Sequence, residues 1–376
     1  MKSNYDPLGK HIRLVDYRNS EEVTSTVLGI SIDKEFMPSV ANVIGTDLSR
    51  YKLISKGLFA CNPMHVGRDE RLPIALYEKD SPAIVSPAYF MFEIIDRDVL
   101  NEEYLMMWFR RPEFDRECWF MTDGSVRGGI TWDDLCRIKL PVPSYARQCE
   151  IVESYRAITD RIALKRAEND NLDAQMRAYF KEYTANHILT TGKLKDYSVM
   201  QYGYTETATT EPVGPKFLRI TDIAQSYIDW NGVPYCPINP QNHEKYVLSE
   251  GDVVVARTGA TVGYAKMIGR TIPDSVFASF LVRIKPIDEE YKYYFGLTIT
   301  SAEFLDFVQT NAGGSAQPQA NPPLLGEYEI CIPDKESLAE FNSKVLTFLN
   351  LIECNEAEIS KLNEVRDTMV TLLSRR

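Results

Sequence analysis

The strongest constraint in this chain is a repeat whose two copies each end in a long, heptad-patterned helix. A strand-like segment, Ile138-Lys139-Leu140-Pro141-Val142-Pro143, runs into a helix-forming stretch from Arg147 to Tyr183. Ile330-Cys331-Ile332-Pro333 runs into another from Glu336 to Arg375. Pro143 and Pro333 lie about half the chain length apart. Self-similarity at a fixed period marks duplicated architecture. The chain is therefore expected to build two globular units of one design, each followed by a rod.

The repeat is faint in identity and persistent in order. Gly9-Lys10 matches Gly192-Lys193, each ahead of a short strand-like run. Tyr51 to Ala60 aligns with Tyr246 to Val255 with a one-residue gap. Ile84 to Ile94 matches Ser275 to Ile284 as an apolar strand after a small-residue turn. Glu102-Glu103-Tyr104 pairs with Glu289-Glu290-Tyr291, and Gly124-Ser125 with Gly314-Ser315. One such match could be chance; five in the same order argue for duplication.

The rods carry seams at three- and four-residue spacing. The first reads Ile151, Tyr155, Ile158, Ile162, Lys165, Asn169, Leu172, Met176, Tyr179, Tyr183. The second reads Leu338, Phe341, Val345, Phe348, Ile352, Asn355, Ile359, Leu362, Arg366, Met369, Leu373. At 1.5 Å per residue these are rods of roughly 55 to 60 Å. Helices that long seldom stand alone, and the chain order makes an antiparallel coiled coil the simplest pairing. Polar seam positions, Lys165, Asn169 and Asn355, then fix register at some cost in stability. The expected fold is α+β: two tandem mixed units, at 1–145 and 187–334, with long helices at 146–186 and 335–376 in a pseudo-two-fold arrangement.

Composition narrows the function. With 376 residues, 44% hydrophobic and 25% charged, two ordinary cores can be built. No apolar run approaches the roughly 20 residues that span a bilayer, and Met1 to Pro7 lacks the apolar core of a signal peptide. No membrane partner and a cytoplasmic location are expected. The seven cysteines are scattered and free of C-x-x-C spacing, so neither disulfides nor a zinc site is signalled. The four histidines, His11, His65, His187 and His243, share no metal-binding spacing. No metal is expected. A net charge of −11 counts against tight nucleic-acid binding by the chain alone, because phosphate neutralisation by Lys and Arg supplies most non-specific affinity. Basic groups do cluster at Lys10, Arg13 and Arg18, at Arg68 and Arg71, and at Arg110, Arg111, Arg116 and Arg127.

Two motifs suggest an enzyme and fail on inspection. Asn321-Pro322-Pro323-Leu324 resembles the N-P-P-aromatic motif of adenine methyltransferases, with Leu in place of the base-stacking ring. No Gly-rich cofactor strand-turn-helix precedes it. Gly259-Ala260-Thr261-Val262-Gly263-Tyr264-Ala265-Lys266 misses the phosphate-loop pattern, since Lys does not follow the second Gly. No catalytic residue is assigned.

The order of globular unit, I-x-L-P-x-P strand and Ile-containing heptad helix, repeated once, resembles the specificity subunit of type I restriction-modification systems. Ile138 to Pro143 with Gln148-Cys149-Glu150-Ile151 is similar to that family's I-P-L-P…E-Q-x-x-I signature. Gly251-Asp252-Val253-Val254-Val255-Ala256-Arg257-Thr258-Gly259 resembles its G-D-(apolar)-x-R-x-G segment. The first-half equivalent, Gly57 to Pro63, lacks the Arg, and the second I-x-P segment has no matching Gln.

The resemblance implies a non-catalytic subunit with two target recognition domains, each reading half of a split, asymmetric sequence in double-stranded DNA, with the helices setting the gap. It implies two modification subunits, which bring S-adenosylmethionine and methylate adenine, and restriction subunits; the chain itself is expected to hold no cofactor. Arg reads guanine and Asn or Gln reads adenine through paired hydrogen bonds, so base-reading candidates lie in polar, Gly-flanked loops. These are Asn62, His65, Arg68, Ser125 and Arg127 in the first unit. In the second they are Tyr202, Tyr204, Arg257, Thr258, Thr261, Gln317, Gln319 and Asn321. Two other readings are the recognition part of another DNA-modifying or defence assembly, and an orphan adenine methyltransferase.

Overall fold

The computed structural model describes residues 5–39, 45–64, 66–122, 128–187, 189–224, 227–312 and 319–373. Packing divides the chain into two units, Met1–Ala163 with Ile359–Arg376, and Leu164–Glu358. The division runs through both long helices, whereas the boundaries read from sequence fall near the helix ends.

The first unit contains β1 (Tyr5–Pro7), β2 (Ile12–Leu14), β3 (Val27–Ile30), β4 (Phe36–Pro38), β5 (Lys52–Ile54), β6 (Phe59–Cys61) and the single turn α1 (Val66–Asp69). There follow β7 (Ile74–Leu76), β8 (Ala83–Val85), β9 (Phe90–Ile94), α2 (Glu102–Phe109), α3 (Pro112–Phe120), α4 (Trp132–Arg137) and β10 (Lys139–Pro141). One sheet runs β2-β9-β6-β7, a second β4-β3-β8-β5, and β1 pairs with β10. Side chains alternate across a strand, and both faces of the first sheet are covered. Phe59, Cys61, Ile74 and Phe92 enter one core with Leu105, Phe109 and Phe114 of α2 and α3. Ala60, Ala75 and Met91 enter another with Leu28, Ile30, Ile54 and Val85 of the second sheet.

The second unit repeats this plan with β11 (Leu189–Lys193), α6 (Leu194–Tyr197), β12 (Ser198–Tyr202), β13 (Lys216–Leu218), α7 (Pro240–Tyr246), β14 (Val253–Ala256) and β15 (Ala265–Met267). It continues through β16 (Ser275–Phe277), β17 (Leu281–Pro286), α8 (Lys292–Ile299), α9 (Ala302–Asn311), α10 (Pro322–Gly326) and β18 (Glu329–Pro333). The order β12-β17-β14-β15 copies β2-β9-β6-β7, and β11 pairs with β18 as β1 does with β10. Gly57 and Gly251 both sit at left-handed φ, 83° and 81°. Each donates its N–H across the same turn, to Tyr77 and Ile268 carbonyls; a side chain there is strained.

Two sequence matches slip: Phe92, not Ile94, holds the register position of Ile284, and the Gly-Lys pairs do not correspond. Leu8 donates to the Ile138 carbonyl as Leu194 does to that of Tyr328, at 2.8 and 2.9 Å. Leu8 therefore equals Leu194, and Gly9-Lys10 aligns with Lys195-Asp196. Gly192-Lys193 lies inside β11, not ahead of it. Both leucines are fully buried, so the apolar anchor fixes the register and the Gly-Lys pair does not.

The rods are α5 (Tyr145–Asn186) and α11 (Lys335–Leu372), 42 and 38 residues long. Gln148 pins the start of α5. It is completely buried, donates from Nε2 to the Val99 and Pro143 carbonyls, and accepts from the Asn101 N–H, each at 2.9 Å. Asn101 in turn caps α2 through the N–H groups of Glu103 and Tyr104. At the same offset from the strand in the second copy stands Leu338, which joins the core instead. Within the second unit the helices run antiparallel, with Tyr183 Oη bonded to Ser337 Oγ at 2.8 Å near one end and Lys165 meeting Asn355 near the other. Phe341 stacks against Tyr179 and meets the Tyr183 ring at a tilt in that seam. In the first unit, Val152 of α5 joins the α2–α3 core and Leu373, just past the end of α11, packs against it.

Candidate nucleic-acid interface

The exposed end of the second unit's main sheet gathers most of the described candidates. Arg257 follows β14 directly. Its guanidinium lies over the Tyr202 ring, 4.8 Å from the centroid, and Nη1 donates to the Ser279 carbonyl at 3.3 Å. Nε is buried and has no hydrogen-bond partner. Thr258 forms an antiparallel bridge with Gln319, whose side chain is exposed. Thr261 closes the following turn, its carbonyl accepting from Tyr264 N–H at 2.9 Å. Tyr204 stands apart from this edge chemically: its ring packs on Tyr246 at 5.3 Å and joins a small core with Phe217 and Val276.

Asn321 is occupied. Its Oδ1 accepts from Leu324 N–H at 3.0 Å as the N-cap of α10, with Pro322 at the first helical position. The N-P-P pattern here is a helix start. Thr131 does the same for α4.

In the first unit Asn62 Oδ1 accepts from Met64 N–H at 3.2 Å. Arg68 is exposed and paired with Asp69, Nε to Oδ1 at 2.6 Å. His65, Ser125, Arg127 and Gln317 lie outside the described residues. The basic clusters read from the sequence are largely neutralised. Lys10 pairs with Asp6, Arg13 with Glu93, Arg18 with Asp16, Arg71 with Asp33 and Arg116 with Glu113. Arg111 is buried and stacked on Trp108 at 3.8 Å; burial lowers its pKa against the pull of Glu113.

Two exposed aromatics at the second edge escaped the sequence reading. Phe280 is 56% exposed and Tyr264 39%. Phe280 occupies the turn Ala278–Leu281 between two apolar strands, a place where the sequence pattern alone reads as core. Its carbonyl accepts the Arg257 N–H at 3.0 Å.

The polar seam residues form one network. Lys165 Nζ donates to Asn355 Oδ1 at 2.8 Å and to Glu168 at 3.0 Å. Asn355 Nδ2 donates to Asn169 Oδ1 at 2.8 Å, and Asn169 Nδ2 to Glu356 Oε1 at 2.6 Å. Lys165 and Asn355, 190 residues apart, are the same repeat position on the two helices. Asn355 is 5% exposed, so water has little access to its amide. Burial raises the Glu356 pKa, and the Asn169 hydrogen bond opposes that rise. Asn169→Leu strands the Asn355 amide and should cost about 1 to 3 kcal/mol. A lowered melting temperature with altered sedimentation is expected; unchanged sedimentation and unchanged partner binding would remove Asn169 as a register residue.

The chain thus holds two sheet-and-helix units of one strand order together with two long helices, and the equivalent edges of the units carry different side chains. No family model matches the chain. It is 24% identical over 190 residues to the specificity subunit of a type I restriction enzyme, MjaVIII, from Methanocaldococcus jannaschii. That match spans 48% of this chain and 44% of the relative's length. The crystal structure of the type I restriction-modification S subunit from M. genitalium aligns with 99% of the chain and 96% of its own at 13% identity, with a TM-score of 0.51. A chain from a structure of type I restriction-modification complex assembly aligns over 98% at 15% identity, with a TM-score of 0.47. The chain has the fold of a type I restriction-modification S subunit, and half of it is similar in sequence to such a specificity subunit.

Proposed function

We propose that this chain is the non-catalytic specificity subunit of a type I restriction-modification assembly, working in the cytoplasm. Each unit reads one half of a bipartite, asymmetric double-stranded DNA target. The helices fix the gap between the half-sites and dock two modification subunits, which carry S-adenosylmethionine; restriction subunits complete the assembly. The observation that carries the reading is a duplicated scaffold with unlike edges. Pro63 and Arg257 occupy equivalent places, each carbonyl accepting from the residue before the next helix cap, Ile130 at 3.1 Å and Ala320 at 2.8 Å. Side chains that a shared scaffold does not require are free to serve recognition, and two unlike edges imply two unlike half-sites.

The test is co-expression with the cognate modification subunit and mapping of methylated adenines across a genome. A two-part motif with a fixed gap is expected. A continuous motif, or none, would sink the reading. S-adenosylmethionine binding by the chain alone would favour a methyltransferase instead.

A further inference from the structure

In the second unit the turn after β15 reaches across to α11. Arg270 N–H donates to Glu353 Oε1 at 2.6 Å, and Thr271 Oγ1 donates to Oε2 at 3.4 Å. The Arg270 side chain ties the helix to the sheet: Nη1 donates to Asn350 Oδ1 at 2.7 Å, while Nε lies 3.6 Å from Glu250 Oε1, just ahead of β14. Asn350 and Glu353 are three residues apart on α11 and so share one helix face. Gly269 lets the turn come this close, since a Cβ there would lie 3.1 Å from Glu353 Oε1. The first copy is built differently at the same places. Gly57 and Gly251 donate to the Tyr77 and Ile268 carbonyls, so Glu78 and Lys79 stand where Gly269 and Arg270 do. Lys165 and Asn355 share a repeat position, so Asp160 and Ala163 stand where Asn350 and Glu353 do. The methyl of Ala163 cannot accept a hydrogen bond, and Glu78, Lys79, Thr159 and Asp160 line an open cleft of about 1420 Å³.

Resting on the reading above, we propose that Glu353, with Asn350, is a positioning latch that holds the sheet of the second unit at one angle to the long helices and so restricts the gap between half-sites to one length. The scaffold folds in the first copy with Ala163 and a cleft at this place, so folding does not require the latch. Attachment of the second sheet to the helices does not require it either. Met176 and Tyr183 of α5 and Leu338, Phe341 and Val345 of α11 already share a core with Val253, Val255 and Tyr294. Apolar contact is non-directional, so a sheet held by that core alone can rock on it. The latch lies beyond Val345 along α11 and supplies a second point of attachment, made of directional bonds. One base pair more or less in the gap moves a half-site by about 3.4 Å and turns it by about 35°. A unit held at two places resists that displacement, and a unit held at one can follow it.

The experiment uses the full chain with its modification subunit. Methylation mapping of the parent supplies the motif and its gap. Methylation rates are then compared on duplexes with that gap, one base pair fewer and one more, for the parent, E353A, E353Q and N350A. In E353A the preference for the parent gap should fall roughly 2- to 10-fold, the worth of one hydrogen bond, with both half-sites still required. E353Q keeps an acceptor for the Arg270 N–H and should behave as the parent does. N350A removes one arm of the latch from an exposed helix position and should shift the preference the same way by less, so it decides the matter if E353A fails to assemble. A gap preference retained in E353A and N350A, with or without a uniform fall in rate, would make these residues merely structural and overturn this inference alone. So would E353Q relaxed as far as E353A. A parent without a two-part motif would overturn the functional reading and the latch's role with it.

Discussion

Lys34→Met is expected to destabilise the first unit by about 3 to 5 kcal/mol, because it leaves a buried carboxylate without its cation. Lys34 sits in the turn of the β3–β4 hairpin at a left-handed φ of 64°, a conformation that a non-glycine residue holds only at some cost. That turn drives the ammonium inward. Nζ donates to Asp115 Oδ1 of α3 at 2.6 Å and to the Leu72 carbonyl at 2.9 Å. The same Asp115 oxygen accepts Leu72 N–H at 3.0 Å. The side chains are 4% and 11% exposed. Burial lowers the Lys34 pKa even against the pull of Asp115, so the pair is a costly clasp that holds the second sheet to the helical layer. Asp115→Leu should be as damaging as Lys34→Met. The double variant Lys34→Met/Asp115→Leu should recover most of the loss, since a buried pair replaced by apolar groups is often neutral. Urea unfolding followed by tryptophan fluorescence reads this unit well, because Trp108, Trp119 and Trp132 belong to it and only Trp230 to the other. Additive losses in the double variant would show that the two residues act independently.

The helices were legible because heptad spacing is local. They begin within two residues of the expected starts, at Tyr145 and Lys335. The duplication was legible too, since Gly57 and Gly251 serve the same left-handed turn. What the sequence could not show is pairing across long separations. The antiparallel pairing of β1 with β10 joins residues more than a hundred positions apart, and the slipped Gly-Lys match followed from not seeing which residue that pairing anchors. Lys165, Asn169 and Asn355 stood out singly as polar breaks, while their mutual bonds needed the fold. Asn321 could be read as cap or base reader with equal right from its residue type, and the bond to Leu324 N–H makes it a cap. Phe280 was missed because an aromatic residue between apolar strands looks like core until its exposure is known.

On the proposed function, the isolated chain is expected to bind DNA at least 100-fold more weakly than the assembly with its modification subunits. Its net charge is −11. Affinity for DNA comes largely from cations that displace condensed counterions, and several arginines of the first unit already face their own carboxylates: Arg13 with Glu93, Arg71 with Asp33, Arg116 with Glu113. Exposed pairs of this kind are individually weak, so phosphate could compete for each one, but every such exchange leaves a carboxylate beside the DNA. The chain alone should therefore sit near the non-specific range, roughly 10⁻⁴ to 10⁻⁶ M at physiological salt. Modification subunits that supply cations around the duplex would move the assembly into the range of specific complexes, roughly 10⁻⁸ M or tighter. Fluorescence anisotropy with a duplex carrying the mapped motif, run against salt concentration, separates the contributions. The assembly should show a steep salt slope and the chain a shallow one, because the slope counts phosphates neutralised. Tight, sequence-selective binding by the chain alone would mean that its own edges carry the affinity, and the partner-supplied cations would be unnecessary.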